Sequence, residues 1–165
     1  MNDPHTQLKD LIHVEKGIIP ANLCDYIIQD TEKREWRPHT WYSATDNTFG
    51  SEETMELDVQ GITAELQQLL TPIMIQAGSA YNQKYAYLKC DRTRQIMNKF
   101  STIRFNRYKS GQIMRQHHDH IHSLFDGNEK GIPVLSFVLN LNDNYEGADL
   151  FFWENHVVPL GKGDI

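Results

Sequence analysis

The sequence predicts a mixed α+β fold in which N-terminal helices support a barrel or jelly roll of short β strands. Three observations predict it. Apolar residues recur at helical spacing as far as about Tyr81. After Tyr85 the apolar period falls to two, the repeat of a strand with one buried face. Clusters of Gly, Asn, Asp and Ser then punctuate one short strand candidate after another. Helices first and strands afterwards segregate into separate layers around one core. At 165 residues the chain reads as a single domain, 1–165, with helical support over 18–84 and barrel strands over 99–165. A domain of this size buries roughly 70% of the surface its unfolded chain exposes. With 39% hydrophobic and 10% aromatic residues, collagen-like, low-complexity and wholly disordered classes are excluded.

The first helix falls between Ile18 and Trp36. Pro20 precedes a capping candidate, Asn22, and Leu23, Tyr26 and Ile27 follow at helical spacing before a charged tail. Residues 37–60 are polar and turn-rich around Trp41 and Tyr42, which predicts an irregular or hairpin-like excursion. Its two aromatics sit either on a substrate-facing loop or over the edge of the core. A second helix is expected from about Gly61 to Tyr81, with Ile62, Leu66, Leu69, Leu70, Ile73 and Ala77 on one face and a kink or restart at Pro72. Ile103 and Phe105 then alternate with Arg104 and Asn106. Val134–Leu141 is nearly continuous and apolar, and Asp149–Glu154 and His156–Leu160 complete the strand candidates. Turns are expected at Lys109–Gly111, Asp126–Asn128, Asn142–Asn144 and Gly161–Asp164. The last of these leads into a strand of which Ile165 would be the first residue, leaving an unpaired edge. The sequence therefore reads as cut short.

No apolar run approaches a membrane span, and the first residues, MNDPHTQLKDLIHVEKG, have neither a basic nor an apolar leader region. A cytoplasmic protein without a membrane partner is the expectation. Cys24 and Cys90 are too few for a disulfide framework or a thiolate metal site, and both are expected reduced. Charge is unevenly distributed. Residues 84–115 carry nine Lys and Arg against one acid, Asp91, so this segment is +8 and the remainder of a chain at −6 is −14. Such a segment either faces an acidic cosubstrate or a nucleic acid, or balances the acidic remainder within the fold.

The densest chemistry is His117-His118-Asp119-His120-Ile121-His122. On a strand, His117 and Asp119 share one face and His118, His120 and His122 the other. The first face offers an imidazole and a carboxylate that, with a second His, make the facial triad of non-haem Fe(II) oxygenases. The second offers three imidazoles suited to Zn(II). Periodicity does not choose between the faces, and a solvated strand without metal is the third alternative. His5, His13, His39 and His156 each stand alone and read as structural.

The surrounding residues resemble the prolyl 4-hydroxylase-like branch of the Fe(II)/2-oxoglutarate dioxygenases, in which Tyr, Gly and an apolar residue precede His-x-Asp at the spacing of Tyr108, Gly111, Met114, His117 and Asp119. The similarity continues through Val134–Asn142, Glu146-Gly147-Ala148-Asp149, Phe151-Phe152 and Pro159–Asp164, and through Leu23-Cys24 and Trp36 in the N-terminal part. Two features depart from the family pattern. Its distal His ligand and its basic residue for the far carboxylate of 2-oxoglutarate follow the Gly-Asp turn, where this sequence ends at Ile165. Asn140 stands where many relatives have Tyr.

The resemblance implies a double-stranded β-helix (jelly-roll) barrel, incomplete at its C-terminus, that hydroxylates a C–H bond. Fe(II) is implied on His117 and Asp119, with 2-oxoglutarate and O2 as cosubstrates and L-ascorbate as a further cofactor. Tyr108 is the candidate for binding 2-oxoglutarate, with a core aromatic as the alternative, and Trp41 and Tyr42 are candidates for the substrate. That substrate is expected to be a peptide, protein or small molecule, with peptidyl proline the leading case and nucleic acid the less favoured one. If the third ligand lies within these residues, His156 is the first to examine. The rival reading is a non-catalytic or zinc-binding β barrel of cupin type, suggested by Gly111 and His117 but lacking the second His where Asp119 stands.

Overall fold

The structure, a computed structural model, describes residues 8–43, 48–50, 56–85, 100–114, 116–117, 135–152 and 156–165, with the backbone alone at residue 8, 41–43 and 48–50. It is a mixed α+β fold with two α-helices and three small antiparallel sheets among the described residues. These sheets do not close into a barrel.

Helix α1 spans Ala21–Thr31 and begins at Pro20 rather than at the expected Asn22 cap. Proline supplies the entry φ of −57°, and its carbonyl accepts from the N–H groups of Leu23 and Cys24. The buried face is Cys24, Ile27 and Thr31. Tyr26 lies outside it, 40% exposed, and its hydroxyl donates to Glu65 at the start of the next helix, 2.8 Å away.

The excursion after α1 is a nested pair of hairpins. Strand β1 (Arg37–Pro38) pairs with β4 (Asp58–Gly61), and between them β2 (Trp41–Ser43) pairs with β3 (Thr48–Gly50) in the register Trp41↔Gly50. Trp41 and Tyr42 therefore belong to a strand and not to a loop, because the backbone polar groups of a turn-rich stretch are satisfied by folding back on themselves.

Helix α2 runs from Ala64 to Lys84. Thr63 caps it, accepting the Leu66 N–H at 3.3 Å. Thr63→Ala is expected to cost about 1 kcal/mol and to lower the melting temperature by about 2–4 °C, measured by circular dichroism. Leu66, Leu70, Met74 and Ala77 form the buried stripe. Leu69 is 43% exposed, because at ~100° per residue it lies at the rim of that stripe, and Met74 takes the place it was expected to fill. Pro72 neither ends nor restarts the helix. Leu70 and Met74 are anchored in the core on either side of it, and the Thr71 hydroxyl donates to the Gln67 carbonyl at 2.6 Å in the turn before it.

Strand β5 (Arg104–Arg107) pairs with β4 in the register Gln60↔Phe105 and Asp58↔Arg107, giving the sheet order β1-β4-β5. Phe105 enters the main core with Ile27, Leu66 and Leu70, flanked by Trp36, Leu139 and Leu141. Strands β6 (Leu150–Phe152) and β7 (His156–Val158) form a separate hairpin.

The apolar segment before them, expected as a strand over Val134–Leu141, carries no regular ladder over residues 135–141. Its alternation survives in part: Leu135, Phe137, Leu139 and Leu141 are half-buried while Ser136 and Val138 are exposed. Asn140 supplies its main-chain anchors, donating to Asp164 O at 2.9 Å and accepting from Gly163 N at 2.8 Å.

The Gly161–Asp164 turn is present, with Gly163 at φ +84°. Ile165 is not an unpaired edge: it exchanges both main-chain hydrogen bonds with Glu15 and packs with Met74 and Ala77. The Lys109–Gly111 turn is also present, with Gly111 at φ +82°. The expected turn at Asn142–Asn144 falls later, at Tyr145–Gly147, where Gly147 and Ala148 both take positive φ. Asp126–Asn128 lies outside the described residues.

Candidate functional site

The site is built on the face of the β1–β4–β5 sheet opposite Phe105. Strand alternation puts Arg104 and Asn106 on that face, and Tyr108 continues it beyond the strand. The chain then turns, with the Gln112 N–H donating to Lys109 O at 3.0 Å and the Lys109 N–H to Gln112 Oε1 at 2.7 Å, and leads through Ile113 and Met114 to an exposed His117.

A second approach to this face comes from β1. His39 extends the β1–β4 ladder by donating its N–H to Leu57 O at 2.9 Å. Its side chain is buried, and Nδ1 lies 3.3 Å from Oε2 of an equally buried Glu56. Burial lowers the pKa of this imidazole, Glu56 opposes the shift, and the charges of Arg104 and His117 reinforce it, so the net direction is down. A neutral ring beside a carboxylate places its proton on Nδ1. Tyr108 is 42% exposed. Partial burial of its hydroxyl raises its pKa, with Arg104 opposing and Glu56 reinforcing.

His39 thus feels the charges of Arg104, Glu56 and His117, and Tyr108 those of Arg104 and Glu56. Of the expected site residues, Tyr108 continues the face of Arg104, and His117 acts electrostatically on His39. His39 keeps its structural reading in that it is buried and paired, but it also joins this cluster. Glu56 and Arg104 were not singled out as site residues by the sequence. Nothing local marks the His39–Glu56 pair, whose partners are 17 residues apart across a hairpin.

Asp119 and the outer histidines His118, His120 and His122 lie outside the described residues, as do Cys90, His5 and the side chains of Trp41 and Tyr42. Among the described residues no group of three His, Cys, Asp or Glu gathers to hold a metal. His156 sits on β7 opposite Phe152. His13 bridges Glu15 at 2.6 Å and Lys84 at 2.9 Å. Asn140 does not present a free side chain: its amide donates to Leu160 O and Asn142 O, and its Oδ1 accepts from the Tyr145 hydroxyl. Cys24 is buried and unbridged, and burial pushes its thiol pKa up.

Within the basic segment, Arg107 pairs with Glu32 and Asp58 and stacks 4.4 Å over the Trp36 ring, while Lys109 pairs with Asp58 at 2.7 Å. Hydrogen bonds from Lys109 and then Arg107 hold the Asp58 carboxyl below the usual range. Part of the segment's charge is therefore spent on balancing acids of the same fold. Arg104 has no carboxylate partner among the described residues.

No helix among the described residues is long and apolar enough to cross a membrane. No family model, no curated protein and no solved structure matches this chain.

Proposed function

We propose that the protein is an Fe(II)/2-oxoglutarate-dependent dioxygenase that hydroxylates a C–H bond, of the prolyl 4-hydroxylase type, on a peptide or protein. The supporting observation is the spacing of Tyr108 and His117 that the resemblance calls for, with His117 acting electrostatically on His39 and Tyr108 lying within reach of Glu56, the partner of His39. In this reading the sheets are parts of a jelly-roll barrel, and the face bearing Arg104 and Tyr108 looks into it.

The donor chemistry fits the metal. His117 is exposed, and its imidazole together with the hard anionic oxygen of Asp119 is a donor set that suits Fe(II). The resemblance assigns the remaining protein ligand to a histidine after the Gly163-Asp164 turn; for binding by residues 1–165 alone, His156 or water would take that position. When bound, the iron and 2-oxoglutarate supply the oxidative chemistry, activating O2 and coupling decarboxylation of 2-oxoglutarate to hydroxylation. The chain's own residues do the rest. Tyr108, a protonated hydroxyl at neutral pH whose pKa burial raises further, would donate a hydrogen bond to the cosubstrate. The neutral, buried His39 and its partner Glu56 fix the β1 side of the face without adding a mobile proton there.

The test is an anaerobic titration with Fe(II) and 2-oxoglutarate, read by the visible charge-transfer band of the chelated metal. The band is expected with the unsubstituted chain, and with His118→Ala, His120→Ala or His122→Ala its midpoint should move by less than about twofold. Loss of metal in those three, with retention in Asp119→Ala, would replace this proposal by the zinc reading.

A further inference from the structure

We propose that an arginine-walled cleft on the same sheet binds a carboxylate side chain of an acidic polypeptide. Arg34, Arg37, Gln60 and Arg104 line this cleft of about 500 Å³ together with Val59 and Ile103. That volume is within the range of ligand sites, roughly 300–1,000 Å³.

Its arginines are not equivalent. Arg34 is held in place: Nε donates to Asp30 at 3.1 Å and Nη1 to Gly61 O at 2.9 Å, so it serves as a fixed wall. Arg37 meets Glu35 at 3.4 Å, and both side chains are about three-quarters exposed. A pair so solvated exchanges readily for another carboxylate. Arg104 spends Nε on Asn106 Oδ1, and its two Nη groups have no partner among the described residues. That leaves a planar two-donor fork, the geometry a carboxylate accepts bidentately.

Val59 favours a peptide over a polyphosphate. In the register Arg37↔Val59↔Asn106 it shares the sheet face of Arg37 and Arg104. It offers an apolar surface to the aliphatic stem of Glu or to a flanking proline, which a phosphodiester backbone lacks. Gln60 pairs with Phe105 and its side chain goes to the opposite, core side, where Nε2 donates to Thr31 O and Glu35 O.

Arg104 also acts electrostatically on His39 and Tyr108, so the cleft adjoins the face of His117. That the bound polypeptide is the substrate rests on the dioxygenase reading. The binding itself does not.

The experiment is fluorescence anisotropy with the full chain in EDTA, without 2-oxoglutarate. The probes are a labelled (Glu-Pro)4 octapeptide, a labelled (Lys-Pro)4 octapeptide and an eight-nucleotide thymidine oligomer. Saturable binding is expected for the Glu peptide alone, about tenfold weaker in Arg104→Gln, about threefold weaker in Arg37→Gln and in Arg104→Lys, which keeps the charge but not the fork, and within twofold in the remote Lys9→Gln. Both cleft arginines are exposed, so Gln retains their stems, and unchanged melting curves verify folding. Equal binding of the Lys peptide, tighter binding of the oligonucleotide, no binding, or equal loss in Lys9→Gln would each overturn the proposal. With chelator present, a failure to hold iron leaves the outcome of this experiment untouched.

Discussion

Asp119→Ala is expected to abolish the Fe(II)/2-oxoglutarate charge-transfer band at concentrations that saturate the unsubstituted chain, and His117→Ala to do the same. In the proposed facial triad each would supply one of only three protein donors, and the carboxylate would be the one that neutralises metal charge. Losing either should weaken metal binding by at least about 100-fold, beyond the range reported for loss of supporting residues that only orient a ligand. Asp119→Glu separates charge from reach: it keeps the anion but moves it by one methylene, so partial recovery of the band is expected. Tyr108→Phe should retain the band and weaken 2-oxoglutarate by about 3–10-fold, the worth of one hydrogen bond. The same titration, followed anaerobically, reads all four variants. An unchanged band in both Asp119→Ala and His117→Ala would remove the iron centre from these residues.

The second large effect is on stability and lies at the Gly163-Asp164 turn. Asp164 is 4% exposed. Its Oδ1 accepts from the Gly17 N–H at 2.9 Å, and its Oδ2 accepts from the Gly161 N–H at 2.6 Å and from Lys16 Nζ at 2.7 Å. Asp164→Ala leaves two part-buried N–H groups without acceptors. Lys16 loses little, because its side chain is 62% exposed and rehydrates. A cost of about 3 kcal/mol follows, seen as a fall of about 6–12 °C in melting temperature.

The effect should depend on pH in a defined direction. Burial works to raise the Asp164 pKa, but hydrogen bonds from Lys16, Gly161 and Gly17 outweigh it and hold the carboxyl below its ordinary value. Its contribution is therefore complete above the unfolded pKa of about 4 and is lost as pH falls through the lower native value. Urea midpoints of the unsubstituted and Asp164→Ala chains should differ most near neutral pH and converge at strongly acid pH. A pH-independent difference would assign the effect to packing. Gly163→Ala tests the same clamp by another route: φ of +84° disfavours any Cβ, and one placed there would overlap the Ile19 carbonyl. It should cost at least as much as Asp164→Ala at neutral pH, and the cost should persist in acid.

Periodicity and turn chemistry were enough to place the elements at local range. The stripe of α2, the hairpin character of 37–60, the alternation around Phe105 and the glycine turns at Gly111 and Gly163 each follow from residues within a few positions of one another. Local patterning also marked the alternate residues that become half-buried over 135–141, although it could not supply a neighbouring strand. The His-x-Asp pair and its spacing from Tyr108 are features of the sequence itself, and Asp119 lies outside the described residues.

Tertiary structure alone decided which distant groups meet. It joined His39 to Glu56 across a hairpin, brought Arg104 within electrostatic reach of His39 and Tyr108, kept α2 continuous through Pro72, and brought Lys16 and Gly17 onto Asp164. Those choices depend on burial, where an unpaired polar group is costly and each must find a partner wherever the chain supplies one. A one-dimensional pattern records spacing and residue type, and it carries no measure of that cost.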